Sequence, residues 1–156
     1  MGLAFMKRKR RQERPAPEPA VDRGRFNEYY PRVFAYARSC VGGEVQAQEI
    51  ALKAFTRAYI RAARRDESEF RAVLFRQARR LCRPLLTENA VTDEGSLSHR
   101  EREVLSLVFD AGLTRAEIAK LFGSRMETVA DLLMSGMRKL NEQTSPAVAA
   151  AYLRLA

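Results

Sequence analysis

The stretch from Leu97 to Leu140, LSHREREVLSLVFDAGLTRAEIAKLFGSRMETVADLLMSGMRKL, constrains the fold more than any other part of the chain. Two of its segments open with the same device. Ser98 is followed three residues later by Glu101, and Thr114 by Glu117. In each pair the hydroxyl can accept from an unsatisfied N–H of the first helical turn while the carboxylate reaches back to the residue before it. Behind the first pair, Val104, Leu105, Val108 and Phe109 recur at helical intervals and predict one apolar side, broken at Gly112. Behind the second, Ile118, Ala119 and Leu121 form the side expected to be buried. Gly123 supplies the backbone freedom of a tight turn, and a third helix is predicted from about Met126 to Leu140. Ser124 with Glu127 repeats the capping spacing ahead of that helix, so its N-cap is open between Ser124 and the residues beside it. Two short helices across a glycine turn, braced by a helix in front, have the pattern of a helix-turn-helix.

The preceding half is helical as well. Phe26, Tyr29, Tyr30, Val33, Phe34, Ala37 and Cys40 lie on one side of a helix ending near Gly42-Gly43, with Pro31 either in its first turn or at a kink. A second helix, about Val45 to Arg64, presents Ile50, Ala51, Ala54, Phe55, Ala58 and Tyr59. A third, about Ser68 to Leu86, presents Phe70, Val73, Leu74, Ala78, Leu81 and Leu85, and Pro84 is expected to bend or end it. No segment alternates with period two for the length of a strand. The fold class is therefore all-α, as two small helical bundles of which the second is a helix-turn-helix. The expected organisation is an arm over 1–22, a helical domain over 23–86, a linker over 87–96, the helix-turn-helix over 97–140, and a tail over 141–156 that holds a short helix. The arm carries KRKRR and PAPEPA and reads either as a phosphate-tracking segment or as a solubilising tail. The linker, TENAVTDEGS, reverses the sign of the charge and has no apolar period.

Charge narrows the partners. The 28 Lys and Arg outnumber 19 Asp and Glu, for a net charge of +9, while a hydrophobic content of 46% is that of an ordinary folded chain. Such an excess points to a polyanion, nucleic acid or an anionic membrane surface, with a merely solvated surface as the alternative. No stretch approaches the roughly 18 apolar residues of a membrane span, and no apolar core follows the basic N-terminus as in a secretory signal. The arginines concentrate at Arg61, Arg64, Arg65, Arg71, Arg76, Arg79, Arg80 and Arg83. Cys40 and Cys82 have no metal-ligand spacing and read as buried free thiols; His99, the single histidine, reads as a surface residue. No Ser/His/Asp, Cys/His, paired-carboxylate or glycine-rich phosphate-loop arrangement is present, so neither an enzyme nor a cofactor or metal site is expected.

The run LSHREREVLSL…GLTRAEIAKLFG…TV…RKL resembles region 4 of extracytoplasmic-function (ECF) sigma factors and, nearly as closely, the helix-turn-helix of LuxR-type response regulators. The first half separates them. FNEYYPRVFAYARSCVGGEVQAQEIALKAFTRAYIRA resembles the region-2 opening of ECF sigma factors, and FRAVLFRQARRLCR the family segment that follows it, whereas LuxR-type regulators carry an α/β receiver or sensor there. The resemblance implies a cytoplasmic factor that binds core RNA polymerase and promoter DNA, with an anti-sigma factor or another protein as a further partner. It implies DNA contacts from Arg71, Arg76, Arg79, Arg80 and Arg83 in the region-2-like half. In the region-4-like half it implies Arg115, Arg125, Glu127, Thr128, Asp131, Arg138 and Lys139, and for polymerase it implies Glu49, Leu52 and Lys53.

The chain departs from the family at several of these places. Where the second helix usually carries Asp-Ala-Glu-Asp and then a Gln-Glu pair, this chain has Gln46, Ala47, Gln48 and Glu49, then Leu52 and Lys53. Only Glu49 keeps its sign, and Lys53 would turn attraction into repulsion at a basic partner. Val73 stands where a melting helix usually carries Trp, and a valine cannot stack on a base. The groove helix retains Arg125, Arg138 and Lys139 as its basic residues. Its Leu132, Met134 and Met137 cannot all face one core, so that stripe is either a protein-binding surface or covered by Pro146 to Leu155. A linker of about 10 residues spans at most roughly 35 Å, which suits a compact form with the halves packed together. Two further readings follow: a sigma-derived regulator that works by protein contacts without melting, and a LuxR-type DNA-binding regulator.

Overall fold

The structure, a computed structural model, describes residues 22–86 and 96–143; the arm, nearly all of the linker and the C-terminal tail lie outside the described residues. Six helices follow in order: α1 (Arg23–Val41), α2 (Glu44–Ala62), α3 (Glu67–Leu86), α4 (His99–Phe109), α5 (Arg115–Phe122) and α6 (Met126–Gln143). The described residues hold no strand, and the all-α class stands.

Local chemistry sets most of the boundaries. Asp22 accepts from the Gly24 N–H at 2.9 Å to start α1, and Gly42 ends it at φ 73°, returning its N–H to the Arg38 carbonyl. Asp66 accepts from the Glu69 N–H at 2.8 Å ahead of α3. Both predicted capping boxes form, Ser98 with Glu101 and Thr114 with Glu117. Pro31 lies well inside an uninterrupted α1, and α3 runs past Pro84 to Leu86.

A single contiguous core joins the six helices. In its first part, Tyr29, Val33 and Tyr36 of α1 and Phe70, Leu74 and Phe75 of α3 meet a side of α2 built from Ala47, Ala51, Ala54 and Ala58, all fully buried or nearly so. Alanine at these positions lets the helix backbones approach closely. Val104 and Leu107 of α4, Ile118 and Ala119 of α5, and Val129 of α6 form the second part, closed by Ala111 and Leu113. The sequence placed Phe109 on the buried side of α4, but it is 65% exposed. It is the last residue of its helix, and Ala111 and Leu113 take the interior positions instead.

The two triplets of helices touch through polar groups. Glu103 of α4, its side chain only 2% exposed, accepts from the Tyr36 hydroxyl and from Arg79 Nε, each at 2.8 Å. Ser39 donates to Ser106 at 2.8 Å, and Ser106 passes a hydrogen bond to Asp110. Arg71 of α3 pairs with Glu117 of α5, while the Arg79 guanidinium lies 4.4 Å over the Phe122 ring.

Candidate nucleic-acid interface

The helix-turn-helix is built outward from its turn. Gly123 ends α5 at φ 64°, a left-handed conformation that side chains other than glycine rarely adopt, and Ser124 returns its N–H to the Ala119 carbonyl at 3.0 Å. Ser124 does not cap α6; its hydroxyl is buried without a hydrogen-bond partner, and the first turn closes from Val129 N–H to the Arg125 carbonyl. Val129 is fully buried beneath α6, and Gly136 meets α4: a Cβ there would lie 3.0 Å from Leu105 Cδ1. The absent side chain is what lets α6 sit this close. Glu101 locks the same contact. Burial would raise its carboxyl, but hydrogen bonds from Lys139, Ser135 and Ser98 outweigh that and hold it down at about 2.

With that side of α6 held inward, Arg125, Glu127, Thr128, Asp131, Met134 and Arg138 are left exposed along its outer side. Arg115 is exposed at the start of α5, where the first helix of such a motif crosses the nucleic-acid backbone. Lys139 is set apart from this group, because its ammonium lies 2.8 Å from Glu101 Oε2. The outer side thus offers two cations against two carboxylates, with hydroxyl and thioether groups between them. A helix so balanced draws little non-specific phosphate affinity from α6 alone and has to obtain selectivity from side-chain hydrogen bonds.

The predicted arginines of the first half divide. Arg76, Arg80 and Arg83 are exposed on α3. Arg71 and Arg79 are instead engaged by Glu117 and Glu103 of the other half. Arg76 also lines a groove with Arg61 at the end of α2 and Arg65 just beyond it, and Arg57 and Arg64 are exposed as well. Glu49, Leu52 and Lys53 share the outer side of α2 and are all exposed. Phe70 and Phe75 are wholly within the core. The sequence reading missed Arg57, and it missed the group that joins the halves: Tyr36, Ser39, Glu103, Ser106 and Glu117.

Residues 95–142 match the family model for Sigma-70, region 4. The region 4 match takes in α4, α5 and nearly all of α6, and it assigns this segment a sigma-factor-like, DNA-binding role in transcription. No curated protein and no solved structure matches the chain. No helix among the described residues is long and apolar enough to cross a membrane.

Proposed function

We propose that the protein is an ECF-type sigma factor, or a sigma-like protein, that binds core RNA polymerase and promoter DNA in the cytoplasm. The observation that carries this reading is the region 4 match over a helix-turn-helix whose α6 leaves Arg125, Thr128 and Arg138 exposed. A region-2-like role for α1–α3 is supported by their resemblance and by the arginines at Arg61, Arg65, Arg76, Arg80 and Arg83. In this reading Glu49, Leu52 and Lys53 meet polymerase, and the groove helix reads base edges while arginines of both halves hold phosphates. The role is one of binding, and no reaction is assigned to the chain.

The test is gel filtration of the full chain with bacterial core polymerase at low salt. Co-elution is expected, and it should be lost on Leu52→Asp. Separate elution of the unaltered chain removes polymerase binding from the account. A second reading, a regulator acting by protein contacts, is favoured by the exposure of Met126, Met134 and Met137, the second of them 71% exposed. Under that reading Met134→Asp abolishes partner capture and leaves duplex binding unchanged. A LuxR-type regulator would instead bind duplex fully without polymerase.

A further inference from the structure

Where α3 faces α5, the two halves leave a cavity of about 210 Å³ beside the Arg71–Glu117 pair. One wall is α3; the other is α5 with the turn before it. The apolar part of the lining comes from Phe75 and Leu113, both buried, and from the half-buried Leu121. Phe75 also meets the Tyr36 ring edge-on at 6.4 Å, and Tyr36 donates to Glu103. The cavity wall therefore rests on a residue that joins the two halves.

The charges around the cavity do not cancel. Arg71, Arg76 and Lys120 line it together with Glu69 and Glu117. Both carboxylates are already engaged: Glu117 accepts from the Thr114 N–H at 2.8 Å and from Arg71, and Glu69 pairs with Arg65 at 3.5 Å. Arg76 and Lys120 are exposed and have no carboxylate partner among the described residues. Two unopposed cations at the edge of a partly apolar cavity favour an anion there. Arg71 adds a second, independent sign. Its Nη2 goes to Glu117, whereas its Nε is buried without a hydrogen-bond partner. A buried donor with no acceptor is uncommon in a folded chain, and this one belongs to a residue of the cavity wall.

Size and lining set the occupant. An apolar cavity of about 150 Å³ holds benzene, so the larger space here takes one ring and a short charged group. A bare inorganic anion would leave Phe75, Leu113 and Leu121 uncovered, and a neutral ring would leave the cations unmatched. A carboxylate is planar and fits the fork of a guanidinium. We propose that this cavity binds a small aromatic monocarboxylate and that the occupant holds α5 against α3. Arg76 and Lys120 take the carboxylate, which also supplies the acceptor that Arg71 Nε lacks, and the ring covers the apolar wall. Because the walls belong to different halves, occupancy and the contact between the halves stabilise each other. The site is separate from the surface proposed for polymerase, since none of Glu49, Leu52 and Lys53 lines it.

The experiment titrates the full chain with benzoate at constant ionic strength, followed by amide proton–nitrogen chemical shifts, with hydrogen exchange on the same samples. Saturable shifts are expected around 68–76 and 113–121, with a dissociation constant on the order of 1 mM for so small a ligand. Acetate, which lacks the ring, and benzyl alcohol, which lacks the charge, should each bind at least about fivefold more weakly. Arg76→Gln and Lys120→Gln should each weaken benzoate roughly three- to fivefold. Ala72 is an exposed residue of the lining, so Ala72→Trp can fill the cavity from outside; it should abolish the shifts while circular dichroism stays unchanged. At ten times the dissociation constant, amide exchange across Arg115–Phe122 should slow by up to about tenfold. Absence of saturable shifts, acetate or phosphate binding as tightly as benzoate, or full binding by Arg76→Gln and Lys120→Gln would overturn the site, as would shifts that persist in Ala72→Trp. Saturable binding with unaltered exchange across α5 would overturn the claim that the occupant holds the halves together.

Discussion

Replacing Glu103 by alanine probes the contact between the two halves. The carboxylate is almost completely enclosed and accepts from Tyr36 and from Arg79 at 2.8 Å each. Its removal leaves the Tyr36 hydroxyl, on a residue with no solvent exposure, without its acceptor. That hydroxyl cannot relieve the loss by ionising, since burial holds its pKa well above the ordinary value. Arg79, its side chain 19% exposed, keeps only the Phe122 ring beside a mostly desolvated charge. Hydrogen bonds to charged groups contribute roughly 1.5–3 kcal/mol each, and removing one partner of a buried pair costs about 3–5 kcal/mol. Glu103→Ala is therefore expected to lose about 3–5 kcal/mol in urea denaturation followed by helical circular dichroism. Glu103→Gln, which keeps an acceptor oxygen, should lose about 1–2 kcal/mol. In a cycle with Arg79→Ala the double variant should lose less than the sum, by at least about 1.5 kcal/mol. A cost under about 1 kcal/mol with no coupling would mean that Glu103 faces water and that the halves are not joined this way.

Acid should weaken the α4–α6 contact. Glu101 is held at about 2 against an ordinary 4.5, so between those values the unfolded chain binds more protons. Its contribution is full above about pH 4.5 and is lost as pH falls toward 2, on the order of 2 kcal/mol after solvent screening at the Lys139 end. Urea titrations across that range should show the fall, and Lys139→Ala should flatten it; an equal slope in both would refute the assignment. Gly136→Leu should cost about 1–3 kcal/mol in the same assay, because Leu105 stands where the new side chain must go. A neutral result would place α6 farther from α4. Arg125→Ala and Arg138→Ala should each weaken duplex binding and reduce the salt slope by about one, read by fluorescence anisotropy. Lys139→Ala should leave that slope unchanged, and unchanged affinity in Arg125→Ala would show that α6 is not the groove helix.

The helices were legible because their signals are local. Ser98 with Glu101, Thr114 with Glu117, and the glycines at Gly42 and Gly123 each act within one turn of the chain. What depends on distant partners was hidden. Nothing in HREREV marks its glutamates as interior, yet Glu101 and Glu103 are both buried, because α4 is enclosed by α6 on one side and by α1 and α3 on the other. For the same reason the sequence did not show that Arg71 and Arg79, which the resemblance implies as DNA contacts, pair with carboxylates in the fold. Ser124 had the right spacing for a cap and failed because the turn after Gly123 buries its hydroxyl. Phe109 fitted the apolar period of α4 but lies at its very end, where the core has passed to Ala111 and Leu113. On α6 the helical period separates the exposed Arg125, Glu127, Thr128, Asp131 and Arg138 from the buried Val129 and Gly136, but it does not tell that Lys139 turns to Glu101.

The most direct test of the proposed place between polymerase and template is selection from a random duplex library. The full chain, core polymerase and the library are mixed at moderate salt, and the retained DNA is sequenced. A recurring sequence should be enriched only when both proteins are present, and the enrichment should fall away with Arg125→Ala. Retained DNA indistinguishable from that of core polymerase alone would contradict the account.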